Sequence, residues 1–393
     1  MLLFLIRFLE KGFQLKVPSV FNYSSTRMLL AALSALVITI FCGPFFIRKL
    51  YELKIGQPVR SAKECPVLAE LHKKKGQTPT MGGLLMLFSL LLSLVLWMDF
   101  ASPFTWILLG VSLALGLIGA FDDFLKLKYK NSRGLRARTK FVWQVLIAAL
   151  VGCYLLLNEG SQKALLGKKP PVAKEMVQGK MVLLSSQEYT QRLYLPFYKE
   201  PLKIGGWLAF LLVVLTIVGS SNAVNLTDGL DGLAAGCLVL VGSLMALVAF
   251  LSNNIEISRY LNILYIEGSG EIAVYLLALS GAALGFLWYN GHPAQVFMGD
   301  TGSLALGGIL GLAAVLLKKE LLLALIGGIF VIEALSVILQ VAYFKLRRQR
   351  IFLCSPLHHH FEYKGWAETK VVLRFWIVGL LLAIIGLISL KFQ

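Results

Sequence analysis

Ser220-Ser-Asn-Ala-Val-Asn-Leu-Thr-Asp-Gly-Leu-Asp-Gly232 breaks an almost continuous apolar run with two carboxylates, two carboxamides and three hydroxyls. A lipid-facing helix would not carry that much polarity without a use for it. Read as a helix, Asn225, Asp228 and Asp231 recur every third residue and share a face, while Gly229 and Gly232 let other groups approach the backbone. The stretch reads as a ligand site at a membrane surface.

The rest of the chain supports the membrane. With 57% hydrophobic residues, 15% charged residues and a mean hydropathy of +0.75, there is too little polar surface to wrap a soluble globule. Apolar runs long enough to cross a bilayer fall at roughly 28–50, 81–98, 104–121, 141–157, 204–221, 232–251, 272–289, 303–317, 321–344 and 373–390. The expected fold is an all-α polytopic membrane protein of about ten transmembrane helices. Residues 1–27 read as an interfacial N-terminal segment and 28–393 as one integral membrane domain, with an extramembrane insertion at about 158–203.

The net charge of +17 would suggest a nucleic-acid partner in a soluble protein, but here the cations lie between spans. Orientation and anionic lipid headgroups account for them, and nucleic acid is not expected. The loops after spans 1, 3 and 9 are the basic ones, which places them in the cytoplasm and both termini in the periplasm. The segment Asn158–Lys203 runs against this, with eight Lys/Arg against four Glu, and is outvoted by the three loops. Five scattered cysteines with no C-x-x-C pair indicate neither a disulfide framework nor a zinc site.

Counting spans locates the chemistry. Of six aspartates and five histidines, all but Asp99 follow an odd-numbered span and so lie on the cytoplasmic side. Asp122-Asp123 closes an apolar helix and is followed by Lys126, Lys128 and Lys130, a pattern that suits a divalent cation, an acid–base pair or local ion pairing. Asp300, in Phe297-Met-Gly-Asp-Thr-Gly-Ser303, opens a helix, where a carboxylate acts as an N-cap or holds a metal beside phosphate oxygens. The consecutive imidazoles His358, His359 and His360 cannot all face one ligand. Phosphate contact fits them better than zinc, because no cysteine or carboxylate stands at zinc spacing. Glu333, inside span 9, is a functional or paired group at membrane depth.

Five motifs carry a resemblance: Thr78-Pro-Thr-Met-Gly-Gly83, Phe121-Asp-Asp-Phe-Leu-Lys126 with Gly134-Leu-Arg-Ala-Arg138, Asn222 to Leu233, Pro293 to Ser303, and Ser355-Pro-Leu-His-His-His-Phe-Glu362. Jointly they resemble the phospho-N-acetylmuramoyl-pentapeptide transferases of the polyprenyl-phosphate N-acetylhexosamine-1-phosphate transferase superfamily. The His triple separates these from relatives that transfer N-acetylglucosamine phosphate, which stand as the alternative. A secondary transporter of an anionic solute is the remote one, since transporter sites lie near the midplane.

The resemblance implies a homodimeric, Mg2+-dependent enzyme. Such an enzyme moves phospho-N-acetylmuramoyl-pentapeptide from its UDP carrier (UDP-N-acetylmuramoyl-pentapeptide) to undecaprenyl phosphate in the bacterial inner membrane. It implies Asp122, Asp123, Asp300 and His359 as catalytic groups, with Asp300 the Mg2+ ligand. Around the substrate it places Lys75, Thr80, Lys130, Asn222, Asn225, Asp228, Asp231, Asn290, Phe297, His358 and His360. The family's lysine in the loop after Gly134 corresponds here to Arg138 or Lys140.

Overall fold

The computed structural model describes residues 19–52, 78–129, 134–177 and 180–392. After a short 3-10 turn at Ser19–Asn22, the helices are α1 (Ser24–Glu52), α2 (Gly83–Trp97), α3 (Pro103–Lys128) and α4 (Ala137–Leu156). A mixed segment follows, with α5 (Glu159–Leu166), β1 (Ala173–Val177), β2 (Lys180–Leu184), α6 (Ser186–Thr190), β3 (Arg192–Leu193) and β4 (Leu202–Lys203). The chain then runs through α7 (Gly206–Thr227), α8 (Leu233–Ser252), α9 (Ile255–Leu261), β5 (Tyr265–Ile266), α10 (Gly270–Asn290) and α11 (Gly299–Leu317). It closes with α12 (Glu320–Ile326), α13 (Gly328–Arg347), α14 (Leu357–Tyr363) and α15 (Glu368–Lys391).

Among the described residues nine helices are long and apolar enough to cross a membrane, and α2, at 15 residues, is a shorter apolar one. This is the all-α polytopic architecture expected. The expected span 321–344 differs in being two pieces, α12 and α13, separated at Gly327-Gly328. Two consecutive glycines have the poorest helix propensity short of proline, so the break falls there.

Apolar residues do two jobs. Phe41, Leu117, Leu150, Leu215 and Leu346 are well exposed, each at 69% or more, on the outward faces of their helices. Without a bilayer such surface would be untenable, and in one it is the solvent-facing surface. The core is instead organised on α11, 94% of whose apolar window is buried against α7, α3, α2 and α8. Lipid tails are as apolar as leucine, so helices associate in a membrane by close backbone approach. A side chain at Gly307 or Gly311 would run into the backbone of α7 at Ser220 and Thr216, and one at Gly281 of α10 into Ala32 of α1.

One end of the bundle is tied by a buried ion pair. Arg27 at the start of α1 meets Glu271 at the start of α10 at 2.6 Å, and Glu271 also accepts the Asp99 N–H at 2.8 Å. At this end lies the segment 159–203. Strands β1 and β2 pair antiparallel from Ala173↔Leu184 to Val177↔Lys180, and β5 adds to the free edge of β1. Asn158 caps α5, and Ser185 with Glu188 forms a capping box on α6, so both short helices are held at their starts.

The segment docks on the end of α11 through polar contacts. Arg192 pairs with Glu175 at 2.9 Å, Tyr194 donates to Glu175, and Lys318 bridges Glu320 at 2.7 Å and the Thr190 carbonyl at 3.1 Å. Lys319, 1% exposed, sits over the Tyr194 ring at 5.0 Å, and burial pushes its ammonium from 10.5 down to about 7.

An amine that charges less readily when folded gives a definite sign. Between pH 7 and 10.5 the unfolded chain binds the extra proton, so stability rises with pH across that window. Lys319→Met is expected to raise the melting temperature at pH 7 by a few degrees, on the order of 1 kcal/mol. It should also flatten the rise between pH 7 and pH 9. Thermal unfolding in detergent at the two pH values is the check, and a lower melting temperature for the variant at both would refute it.

Candidate active site

The site forms at the other end of α11, where its N-terminus meets the C-terminal end of α3. Gly299 takes φ +74° in the turn, where an added Cβ would lie 2.8 Å from Asp123 Oδ2 and 2.9 Å from Thr80 Oγ1. Only glycine fits, and the turn delivers Asp300 into the cleft. The motif Thr78–Gly83 runs alongside: Gly82 and Gly83 donate their N–H groups to Phe297 and Met298, and Phe297 donates to Pro79, all at 2.8 Å. The backbone at Pro79, Gly82, Phe297 and Met298 is thereby fixed beside the turn that presents Asp300.

Asp122 and Asp123 are neighbours in sequence but have different surroundings. Asp123 accepts from the N–H of Asp300 at 3.3 Å, the N–H of Thr301 at 2.9 Å and the Thr301 hydroxyl at 2.7 Å. It therefore caps α11 and sits on the positive end of that helix dipole. Asp122 accepts the Leu135 N–H at 2.7 Å and meets Lys126 at 2.7 Å and Lys140 at 3.4 Å. Asp300 is held by Lys140 at 2.7 Å, Lys126 at 3.2 Å and the Asn225 carboxamide at 2.9 Å.

Three carboxylates thus face two ammonium groups, and a ligand oxygen from each of Asp122, Asp123 and Asp300 lies within 4.8 Å of the others. Hard oxygen donors at that spacing suit a divalent cation. Asp228, at the C-terminal end of α7, is pushed up to about 7, first by burial and then by the nearby charges of Asp300, Asp123 and Asp231.

The opening stretch divides into two parts. Asn225 reaches the carboxylate centre and also donates to Ser303 at 2.8 Å. Asn222 turns away, donating to Gln144 of α4 at 2.8 Å, and Gln144 in turn binds Ser221. Asp231 sits one turn on, facing the loop 291–298: its carboxylate accepts from the Ala294 N–H and meets His292 Nδ1, both at 3.1 Å. Asn290, 2% exposed, spans the same gap, accepting the Gly232 N–H at 3.0 Å and donating to the Val296 carbonyl at 2.8 Å.

Each of the three histidines has a different partner. His358 is fully buried, held by Glu333 through its N–H at 3.1 Å and its Nδ1 at 3.2 Å, with Nε2 against Gly229. His359 meets Glu362 at 2.7 Å. His360 accepts the Leu353 N–H at 3.1 Å, and burial together with Lys364 holds its pKa below the usual histidine value. A Cβ at Gly229 would overlap the His358 ring. Gly229→Ala is expected to cut activity by about tenfold or more, because a displaced wall misaligns the groups it carries. Steady-state kinetics beside a melting curve would check it, and an unchanged rate would refute it.

Lys75 and Lys130 lie outside the described residues. Among those described, Asp122, Asp123, Asp300, Asn225, Asp228 and Thr80 gather at the α3–α11 junction. Asp231, Asn290 and His358 gather around the turn 228–232. Lys126 and Lys140 contact the carboxylates most directly, and Lys140 occupies the place that the sequence left between two cations. Glu368 carried no legible signal, being a single acidic residue ahead of the last apolar run, and Glu362 was legible only as the end of the motif Ser355–Glu362.

Residues 105–318 match the glycosyl transferase family 4. The chain is 59% identical to the phospho-N-acetylmuramoyl-pentapeptide-transferase of Protochlamydia amoebophila (strain UWE25), over the full length of both. It is 46% identical to the protein of that name from Desulfotalea psychrophila, over 95% of this chain and 96% of the relative. The figure for that from Neisseria gonorrhoeae (strain NCCP11945) is 44%, over the same shares. Fold and site define a multi-pass membrane glycosyl transferase whose carboxylates converge at one end of the bundle. Within that class the chain belongs to the phospho-N-acetylmuramoyl-pentapeptide-transferase family.

Proposed function

We propose that this protein transfers phospho-N-acetylmuramoyl-pentapeptide from UDP to undecaprenyl phosphate, forming lipid I and releasing UMP at the cytoplasmic face of the bacterial inner membrane. The observation that carries the reading is the convergence of Asp122, Asp123 and Asp300 with Lys126, Lys140 and the N-terminus of α11. Two anionic substrates must be brought together, so the protein's task is charge neutralisation and alignment more than covalent chemistry.

An oxygen of the lipid phosphate attacks the sugar-bearing phosphorus, and the bond to UMP breaks. Asp123 is committed to the α11 N-terminus, which favours Asp122 as the group nearest the lipid phosphate and the acceptor of its proton. Lys126 and Lys140 are placed to follow the developing charge on the diphosphate. Asp300, with Asp122 and Asp123 beside it, fits Mg2+, which when bound would offset diphosphate charge. Asn225, Asp228 and Asp231 form the nucleoside-facing wall, with Phe297 at its rim.

The basic loops support an orientation with both termini in the periplasm, and the resemblance supports a homodimer. Purified protein in detergent, given Mg2+, polyprenyl phosphate and UDP-N-acetylmuramoyl-pentapeptide, is expected to release UMP strictly in the presence of the lipid. Release with UDP-N-acetylglucosamine instead would overturn the substrate assignment. Trapping of a phosphorylated aspartate before lipid is added would overturn direct attack.

A further inference from the structure

The start of the last helix, α15, grips the turn that carries the nucleoside-facing residues, and nothing in the chemistry above uses it. Glu368, in the first turn of α15, accepts the Asp231 N–H at 2.8 Å through Oε1 and lies 3.7 Å from His292 Nδ1 through Oε2. His292 Nδ1 in turn stands 3.1 Å from Asp231 Oδ2. Two turns further along α15, Trp376 packs its indole on Gly236 and donates to the Leu233 carbonyl at 3.4 Å.

The turn 228–232 is thus held from one helix at both its own backbone and the start of the helix that follows it. Asp231 is 4% exposed, so its direction is set by these partners rather than by water. The trio also has the composition of a metal site, but Asp231 Oδ2 already accepts a backbone N–H as well as facing His292, and Glu368 Oε1 accepts another. One oxygen of each carboxylate is thereby engaged in holding backbone.

We propose that Glu368 and His292 are positioning residues for nucleotide recognition: they set the Asp231 carboxylate and the turn 228–232 against the loop 292–294. This rests on the reading of Asp231 as nucleoside-facing. A pair of side chains that fixes a binding wall acts on ground state and transition state alike, so its loss raises KM and spares kcat.

The test measures kcat and KM for the UDP-sugar and the dissociation constant of UMP, with Mg2+ present, for wild type and Glu368→Ala, Glu368→Gln, His292→Ala and His292→Asn. Glu368→Ala and His292→Ala are expected to raise KM and the UMP constant about tenfold with kcat within about twofold. Glu368→Gln keeps the acceptor for the Asp231 N–H, and His292→Asn keeps a donor for its carboxylate, so both should recover most of the affinity. Combining Glu368→Ala with Asp231→Asn should give much less than the product of the two effects.

Full multiplication of those effects, or a fall in kcat at constant KM, overturns the positioning role. A wild-type enzyme that turns over while Asp231→Asn leaves the UMP constant unchanged overturns the reading of Asp231 instead. A wild type that releases no UMP overturns the transfer activity itself.

Discussion

Asp300→Asn is expected to lower kcat/KM for transfer at least about a thousandfold, equivalent to about 4 kcal/mol of transition-state stabilisation. Asp300 is where the site's elements meet: α11 presents it, Lys126 and Lys140 approach it from α3 and α4, and Asn225 approaches it from α7. The neutral carboxamide removes the charge that orders the two lysines and the oxygen best placed for a divalent cation. Its remaining oxygen still accepts from Asn225, so the fold should survive. Two readouts separate the causes: UMP release for activity, and binding of Mn2+ to the purified protein for the metal assignment. A variant that keeps a tenth of the activity, or wild-type affinity for Mn2+, would remove Asp300 from the centre of the site.

Asp123→Asn should behave differently, because it damages the scaffold as well as the chemistry. The wild-type carboxylate is 1% exposed and accepts three donors from Asp300 and Thr301, at the positive end of α11. An amide turns one of its two oxygens into a donor facing other donors, and an unsatisfied buried group of that kind costs about 2–4 kcal/mol. Melting in detergent is expected several degrees below both wild type and Asp300→Asn, with transfer reduced about a hundredfold or more. Equal melting temperatures for the two variants would refute the assignment of Asp123 to the helix cap.

Much of this is legible in the amino-acid sequence. Alternation of apolar spans with short polar stretches is a local property, and lipid enforces it segment by segment. The runs read from hydropathy therefore match the helices closely, except that 321–344, read as one span, is two helices broken at Gly327-Gly328. The acidic and histidine motifs also stood out, because polar residues are rare enough in this composition to be conspicuous.

Roles were less legible than positions. Asp122 and Asp123 are indistinguishable in sequence, yet only Asp123 caps α11, a helix that begins 176 residues later. Asn222 and Asn225 lie on the same helix about one turn apart, yet Asn222 meets Gln144 of α4 and Asn225 meets Asp300 of α11.

The sequence by itself determined that this chain lives in a membrane, how many times its apolar runs return, and that its aspartates and histidines, Asp99 excepted, collect at one end. Those follow from hydropathy and parity, which need no knowledge of what packs on what. The stretch Ser220–Gly232 that began as one polar island became two half-sites only in the folded chain. Asn225 joins the carboxylates at the start of α11, while Asp231 is held by α15 and the loop after α10. Which neighbour each side chain meets is settled by helix crossings between residues 60 to 180 positions apart, and those crossings depend on small residues packed backbone to backbone.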